Sequence, residues 1–257
     1  TCYLNSLLQS LFVLEDVRRA IFAFCYEPAL HGSAEHCVPL QLQRLFARLQ
    51  CSSQRVIATN ALTASFGWTG SESYRMHDVQ ECCRVLFDCL TGCGITIEER
   101  LFTGHVSSSL RCLQCGHQRS RLEAFADVPL SIDGVTSIEE ALEHYVTAER
   151  LDGDNQWHCD ACRRRVPASK GVCFVHTPSI LMLQLKRYAY DPRTCRRAKL
   201  THKVSFPERL SMRRFARIRD SAAADTTEAG PADADAATDG SEAGTEYEFV
   251  GALLHQG

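Results

Sequence analysis

Leu4, Leu7, Leu8, Leu11 and Phe12 recur at i, i+3, i+4, i+7 and i+8, one apolar stripe of a 3.6-period helix, and the pattern continues to about residue 24. A loop bearing Pro, Gly and His follows at 25–37. Leu42, Leu45, Phe46 and Leu49 predict a second helix over 38–50, and Phe66-Gly67-Trp68 sits in a turn-rich connection. A third helix is predicted over 77–91, with Asp78 near its start and Val79, Cys82, Cys83, Leu86, Phe87 and Leu90 as its buried stripe. After Gly92-Cys93-Gly94 the period shortens. Leu101 to Leu113, Ala124 to Ile132 and Gly171 to Phe174 read as strands, and Ile180 to Tyr188 as a long apolar strand central in a sheet. Thr136-x-x-Glu139 has the capping-box pattern ahead of Ala141, Leu142 and Tyr145, which predicts a short helix near 136–146. Helices first and strands later is the α+β pattern.

Residues 220–246, rich in Ala, Asp, Thr, Glu and Gly and without an aromatic residue, interrupt this order. Such a segment buries too little apolar surface to offset its ordering entropy, so the sequence predicts a disordered acidic insertion there. Tyr247 to Leu254 resumes a strand pattern. The organisation expected is therefore a helical part over 1–100, a β-rich part over 101–219, the insertion over 220–246 and a strand start over 247–257.

Charge sharpens this division. From Asp220 to the end there are nine acidic residues and no Lys or Arg, which leaves 28 basic against 22 acidic residues in 1–219, a net of about +6. A basic face of that size suits nucleic acid, an acidic protein surface, or merely solvent. Apolar content of 45% is ordinary for a globular chain, no apolar run approaches the roughly 18 residues of a membrane span, and no signal peptide is visible. The fourteen cysteines are mostly scattered on apolar helical positions, which favours free thiols in a reducing compartment over a disulfide scaffold.

Two constellations carry chemistry. Cys2 opens the first helix, where unpaired N–H groups and the positive end of the helix dipole favour a thiolate. A thiolate is the nucleophile of cysteine hydrolases; a buried structural cysteine is the alternative reading. Cys112-x-x-Cys115 and Cys159-x-x-Cys162, each in a polar setting, suit two knuckles closing a four-thiolate zinc site, against the alternatives of a redox pair or free thiols. Four sulfur ligands leave no open position, so such a metal holds the fold and performs no chemistry.

Thr1-Cys2-Tyr3-Leu4-Asn5-Ser6-Leu7-Leu8-Gln9, running on to Leu11-Phe12, resembles the cysteine box of the ubiquitin-specific proteases, the papain-like deubiquitinases. His77-Asp78-Val79-Gln80-Glu81, with Arg84 one turn on, resembles that family's glutamine/aspartate box. The paired Cys-x-x-Cys knuckles resemble those at the tips of its β-fingers, and Leu183 to Tyr188, Phe206-Pro207 and Tyr247 to His255 resemble its later blocks.

The resemblance implies an α+β papain-like fold with fingers, palm and thumb. It makes Cys2 the nucleophile, gives Tyr3, Asp78, Gln80, Glu81 and Arg84 to the basic, glycine-rich tail of ubiquitin, and gives Cys112, Cys115, Cys159 and Cys162 to a structural Zn2+. Without it, Asp78 as an N-cap among solvated charges is the simpler reading. The partners implied are ubiquitin and ubiquitinated proteins, without nucleic acid or membrane, in the cytoplasm and/or nucleus. In the family the catalytic histidine lies in a Gly-His-Tyr segment after the strand resembled by Tyr247 to His255. It is therefore expected beyond residue 257, as is the group that orients it, while the oxyanion asparagine is expected upstream of Thr1. His77 and His255 are not assigned the role of base. A fragment truncated at both ends follows, weakly active or inactive by itself, with a catalytically inactive ubiquitin-binding module as the second reading.

Overall fold

A computed structural model describes residues 2–68, 79–191, 195–216 and 246–254, with Cys2, Tyr3 and Asp191 as backbone alone. The predicted start of the third helix at His77-Asp78, nearly all of the acidic insertion, and His255 lie outside the described residues. The chain divides into two compact units, Thr1–Leu101 with Val250–Gly257, and Phe102–Phe249.

The first unit is helical: α1 (Cys2–Val13), α2 (Glu15–Phe22), α3 (Pro28–His31), α4 (Val38–Cys51), α5 (Asn60–Ser65) and α6 (Val79–Gly92). The apolar stripes pack as the period requires. Leu4, Leu7, Leu8 and Leu11 of α1, Leu42, Leu45 and Phe46 of α4, and Leu86, Phe87 and Leu90 of α6 are all buried. Burying such a side chain stabilises by about 1.5–3 kcal/mol, so these faces fix the helices against one another. The run over 1–24 is two helices, because Leu14 is extended (φ −73°, ψ 111°) and Arg18 Nη1 donates back to the Phe12 carbonyl at 2.6 Å. Gln43 of α4 donates to the carbonyls of Ile21, Phe22 and Phe24 at 2.9–3.2 Å, supplying partners at the C-terminal end of α2. The loop expected at 25–37 contains α3, whose Pro28 stands at the helix start, where no N–H is needed.

The second unit holds the strands β1 (Gly104–Cys112), β2 (Gln118–Phe125), β3 (Val128–Ser131), β4 (Glu149–Leu151), β5 (Trp157–Cys159), β6 (Arg164–Val166), β7 (Ala168–His176), β8 (Leu183–Lys186), β9 (Tyr188–Asp191), β10 (Arg196–Lys199), β11 (Arg209–Ser211) and β12 (Glu246–Glu248), with α7 (Ile138–Val146) after β3. β2, β1, β7 and β4 form an antiparallel sheet in that order, β3 pairs with β8 in parallel, and β5–β6, β9–β10 and β11–β12 are two-stranded. Val106, Leu130, Ile132, Leu142, Phe174 and Met212 lie in its core. Gly104 must be glycine: a Cβ there would lie 2.5 Å from Phe125 Cζ and 2.8 Å from the His176 carbonyl oxygen, where the flanking strands close on β1.

Three expectations change here. The strand read over 124–132 is two, β2 and β3; most of β2 escaped notice because it is polar and exposed along nearly its whole length. The long strand over 180–188 shortens to β8, paired only with β3 among the described residues, and Tyr188 begins β9. Its apolar Leu181 packs on the core without strand pairing, so the hydrophobic run reports burial. The strand over 247–254 reduces to β12, which ends at Glu248. The capping box also shifts by one residue. Ser137 is the N-cap, accepting from Glu140 N–H at 3.1 Å, and the Glu140 carboxylate accepts from Thr136 N–H at 2.8 Å. Those bonds hold Glu140 below the usual carboxylate range.

Candidate functional site

In the first unit, Cys2 is the first residue of α1. The four buried leucines anchor this helix, which packs on α2 and α6, so its N-terminal turn is held in place. That turn carries no acidic side chain of its own. The neighbouring α6 turns Cys82, Cys83, Leu86, Phe87 and Leu90 inward and leaves Gln80 half-buried and Glu81 and Arg84 exposed. The helices of Cys2 and of Gln80, Glu81 and Arg84 are thus brought side by side, whereas Asp78 lies outside the described residues and the Cys2 and Tyr3 side chains are not described.

Three other thiols of this unit are held in the protonated form. Burial, reinforced by the Glu81 carboxylate, pushes Cys82 up to about 11, and burial also raises Cys89 and Cys93.

In the second unit the two knuckles meet. Cys112–Cys115 forms the turn between β1 and β2, and Cys159–Cys162 the turn between β5 and β6. Register brings them together: Cys112 lies opposite Ala168 of β7, and Leu113 N–H donates to the Pro167 carbonyl at 3.0 Å. The four Sγ atoms lie within 4.8 Å of one another, with Cys112–Cys162 at 3.9 Å and Cys115–Cys159 at 3.7 Å. A tetrahedron with metal–sulfur bonds of about 2.3 Å has edges of about 3.8 Å, so the four thiols form a group able to hold a metal ion.

The two turns share one local geometry. Gly116 N–H donates to the Cys112 carbonyl at 3.1 Å and Arg163 N–H to the Cys159 carbonyl at 2.8 Å, and both residues are left-handed, at φ 75° and 53°. The Cys115 and Gln114 N–H groups each lie 3.4 Å from Cys112 Sγ. Those donors, Cys115 first, lower Cys112 to about 6, while hydrogen bonding with Cys115 and burial push Cys162 up to about 12. Cys112 and Cys159 are buried beside Val166, with Trp157 packed against them, and the stacked ring of His117 extends that cover. The four converging cysteines were legible in the sequence. The sequence did not supply the β5–β6 hairpin, whose three-residue strands are too short for a periodic signal.

A sequence profile described as "Ubiquitin carboxyl-terminal hydrolase" matches residues 1–257. Ubiquitin carboxyl-terminal hydrolase 47 of Mus musculus is 42% identical over 231 residues, which are 86% of this chain and 17% of that protein. Ubiquitin carboxyl-terminal hydrolase 40 of Homo sapiens is 37% identical over 228 residues, 84% of this chain and 18% of that protein. The chain thus spans under a fifth of the length of these relatives. Among solved structures, the SAGA Ubp8/Sgf11/Sus1/Sgf73 DUB module bound to ubiquitin aldehyde matches with a TM-score of 0.73 at 21% identity, covering 86% of this chain and 52% of the matched one. The fold is therefore the α+β, papain-like one expected from the sequence.

Proposed function

The chain belongs to the ubiquitin carboxyl-terminal hydrolase family, and from that membership we propose that it is the catalytic part of a thiol-dependent deubiquitinase that cuts the peptide or isopeptide bond after the C-terminal glycine of ubiquitin. The observation that carries this reading is Cys2 as the first residue of a helix anchored by its buried stripe. Cys2 Sγ attacks the glycine carbonyl carbon, and the carbonyl electron pair moves onto oxygen, toward the backbone N–H groups of the helix start. Collapse expels the lysine amine, protonated by a histidine, and leaves a thioester. Water then attacks the thioester, releasing the ubiquitin carboxylate and the thiol. The resemblance places that histidine downstream of Tyr247 to His255.

Tyr3, Asp78, Gln80, Glu81 and Arg84 are assigned to the substrate tail; the exposed Glu81 carboxylate on α6 suits an arginine of that tail. Ubiquitin as the partner is supported by a neighbouring structure solved with ubiquitin aldehyde. For the metal centre we infer zinc, held by Cys112, Cys115, Cys159 and Cys162 in a closed four-sulfur shell. The support is the 3.7 and 3.9 Å sulfur separations and an all-thiolate donor set. Its work there is to tie two hairpin ends together.

The test is labelling by ubiquitin carrying a C-terminal electrophile, with the adduct located by mass spectrometry. Cys2 is expected to be the labelled residue, and Cys2→Ala abolishes labelling. Undiminished labelling of Cys2→Ala would remove Cys2 from the reaction.

A further inference from the structure

The positive charge of the folded part is concentrated in one place. Residues 186–203 hold seven basic residues (Lys186, Arg187, Arg193, Arg196, Arg197, Lys199 and Lys203) against one acidic residue, Asp191, a net of +6. That equals the whole excess of residues 1–219, so the rest of that body is neutral. Residues 186–191 and 195–203 of this segment form β9, β10 and their flanks, and Arg193 lies outside the described residues. Arg187 is spent internally, donating to the carbonyls of Leu200 and His202 at 3.2 and 2.7 Å and tying down the base of the ribbon. Arg196 and Arg197 are exposed, and register sets Asp191 opposite Arg196.

Register sets the faces. Tyr190 lies opposite Arg197 and Tyr188 opposite Lys199, so those four share one face, while Arg196 and Ala198 lie on the other. Tyr188 is 56% and Tyr190 62% exposed, so their ring surfaces are open on the face that carries Arg197. Among the described residues no strand pairs with the outer side of β10. A bare edge of this kind offers backbone N–H and C=O groups to an incoming strand.

We propose that the β9–β10 ribbon docks an extended segment of a partner protein carrying a run of consecutive acidic residues, added as a third strand along β10. Neighbouring side chains of an added strand point to opposite faces. Consecutive carboxylates are therefore what reaches Arg196 on one face and Arg197 on the other; alternating ones would serve a single face. A peptide backbone completes the edge ladder with its own N–H groups, which a nucleic acid lacks, and this favours protein over a single-stranded nucleic acid. The inference rests on the ribbon alone and not on Cys2 chemistry.

The test uses the full chain at low ionic strength with fluorescein-labelled octaglutamate, octaglutamine, fully N-methylated octaglutamate and octathymidylate, read by anisotropy. Octaglutamate is expected to bind and octaglutamine not to. Charge reversal in the Arg196→Glu, Arg197→Glu double variant is expected to weaken octaglutamate by at least about tenfold, and N-methylation to weaken it comparably. Both arginines are exposed, and an unchanged unfolding temperature verifies that the variant is folded. Octathymidylate binding tighter than octaglutamate, an unaffected double variant, or undiminished binding of the N-methylated peptide would each overturn the proposal.

Discussion

Cys82 and Cys83 sit inside a helical stripe among Leu86, Phe87 and Leu90, while Cys112, Cys115, Cys159 and Cys162 converge at the ends of two hairpins beside few apolar neighbours. The residue type is the same and the chemistry opposite. In α6, burial removes water from the thiol, the Glu81 carboxylate adds repulsion and no described group donates to the sulfur, so the proton stays on Cys82 to about 11. At the hairpin ends, backbone N–H groups turn inward to Cys112 Sγ and favour the thiolate that metals bind. A cysteine's role in this chain therefore depends on how many donors surround it, and burial alone does not decide it: Cys82 and Cys112 are 2% and 1% exposed.

The comparison breaks most sharply at Cys159. Cys159→Ser is expected to abolish stoichiometric metal binding and to lower stability by more than about 3 kcal/mol, a fraction of the roughly 10–16 kcal/mol that structural zinc contributes in zinc-finger peptides. Metal analysis and thermal unfolding measure both, and a variant that keeps its metal would show that the cluster is not a four-ligand site. In α6 two substitutions of one thiol separate. Cys82→Ser is expected to cost about 2 kcal/mol, because a hydroxyl is left without a partner, and Cys82→Ala only about 1 kcal/mol. Neither should change metal content.

The pH profile adds a third check. Between about pH 9, the ordinary thiol value, and about 11 the unfolded chain has lost the Cys82 proton and the folded chain retains it. The folded state binds more protons there, so stability falls as pH rises through that window, and Cys82→Ala should flatten the decline in denaturant titrations. The smallest effect belongs to Arg163. Its left-handed backbone matches that of Gly116 in the other knuckle, so Arg163→Gly should stabilise by about 0.5 kcal/mol, strain relief partly offset by unfolded-state entropy. A loss of stability instead would mean that the arginine side chain contributes more than its backbone costs.

Where one physical signal dominates, the sequence was readable. The leucine stripe of α1 and the Cys82 to Leu90 stripe of α6 each report one buried face, and the Cys-x-x-Cys pairs report a turn with two converging sulfurs. Where pairing decides, it was not. Nearly all of β2 is exposed, so its strand state comes from β1 and leaves no alternation of apolar and polar residues. Ile180 to Met182 is apolar yet outside β8, because core contact and strand pairing are separate demands. The capping box was read one residue early because both Thr136-x-x-Glu139 and Ser137-x-x-Glu140 satisfy the pattern, and only the backbone selects the second. The role proposed for Cys2 rests on the motif alone.

The alignment of β1 with β7, Cys112 against Ala168, carries a consequence for how the chain reaches its native form. Sliding β1 by one residue displaces its end by about 3.4 Å, nearly a full sulfur-to-sulfur separation here, and turns Cys112 to the opposite side of the sheet. A misaligned sheet would then present at most three usable thiols. A metal ion held by all four, as proposed above, would act as a proofreader, rewarding one strand alignment and leaving the others free to dissociate and try again.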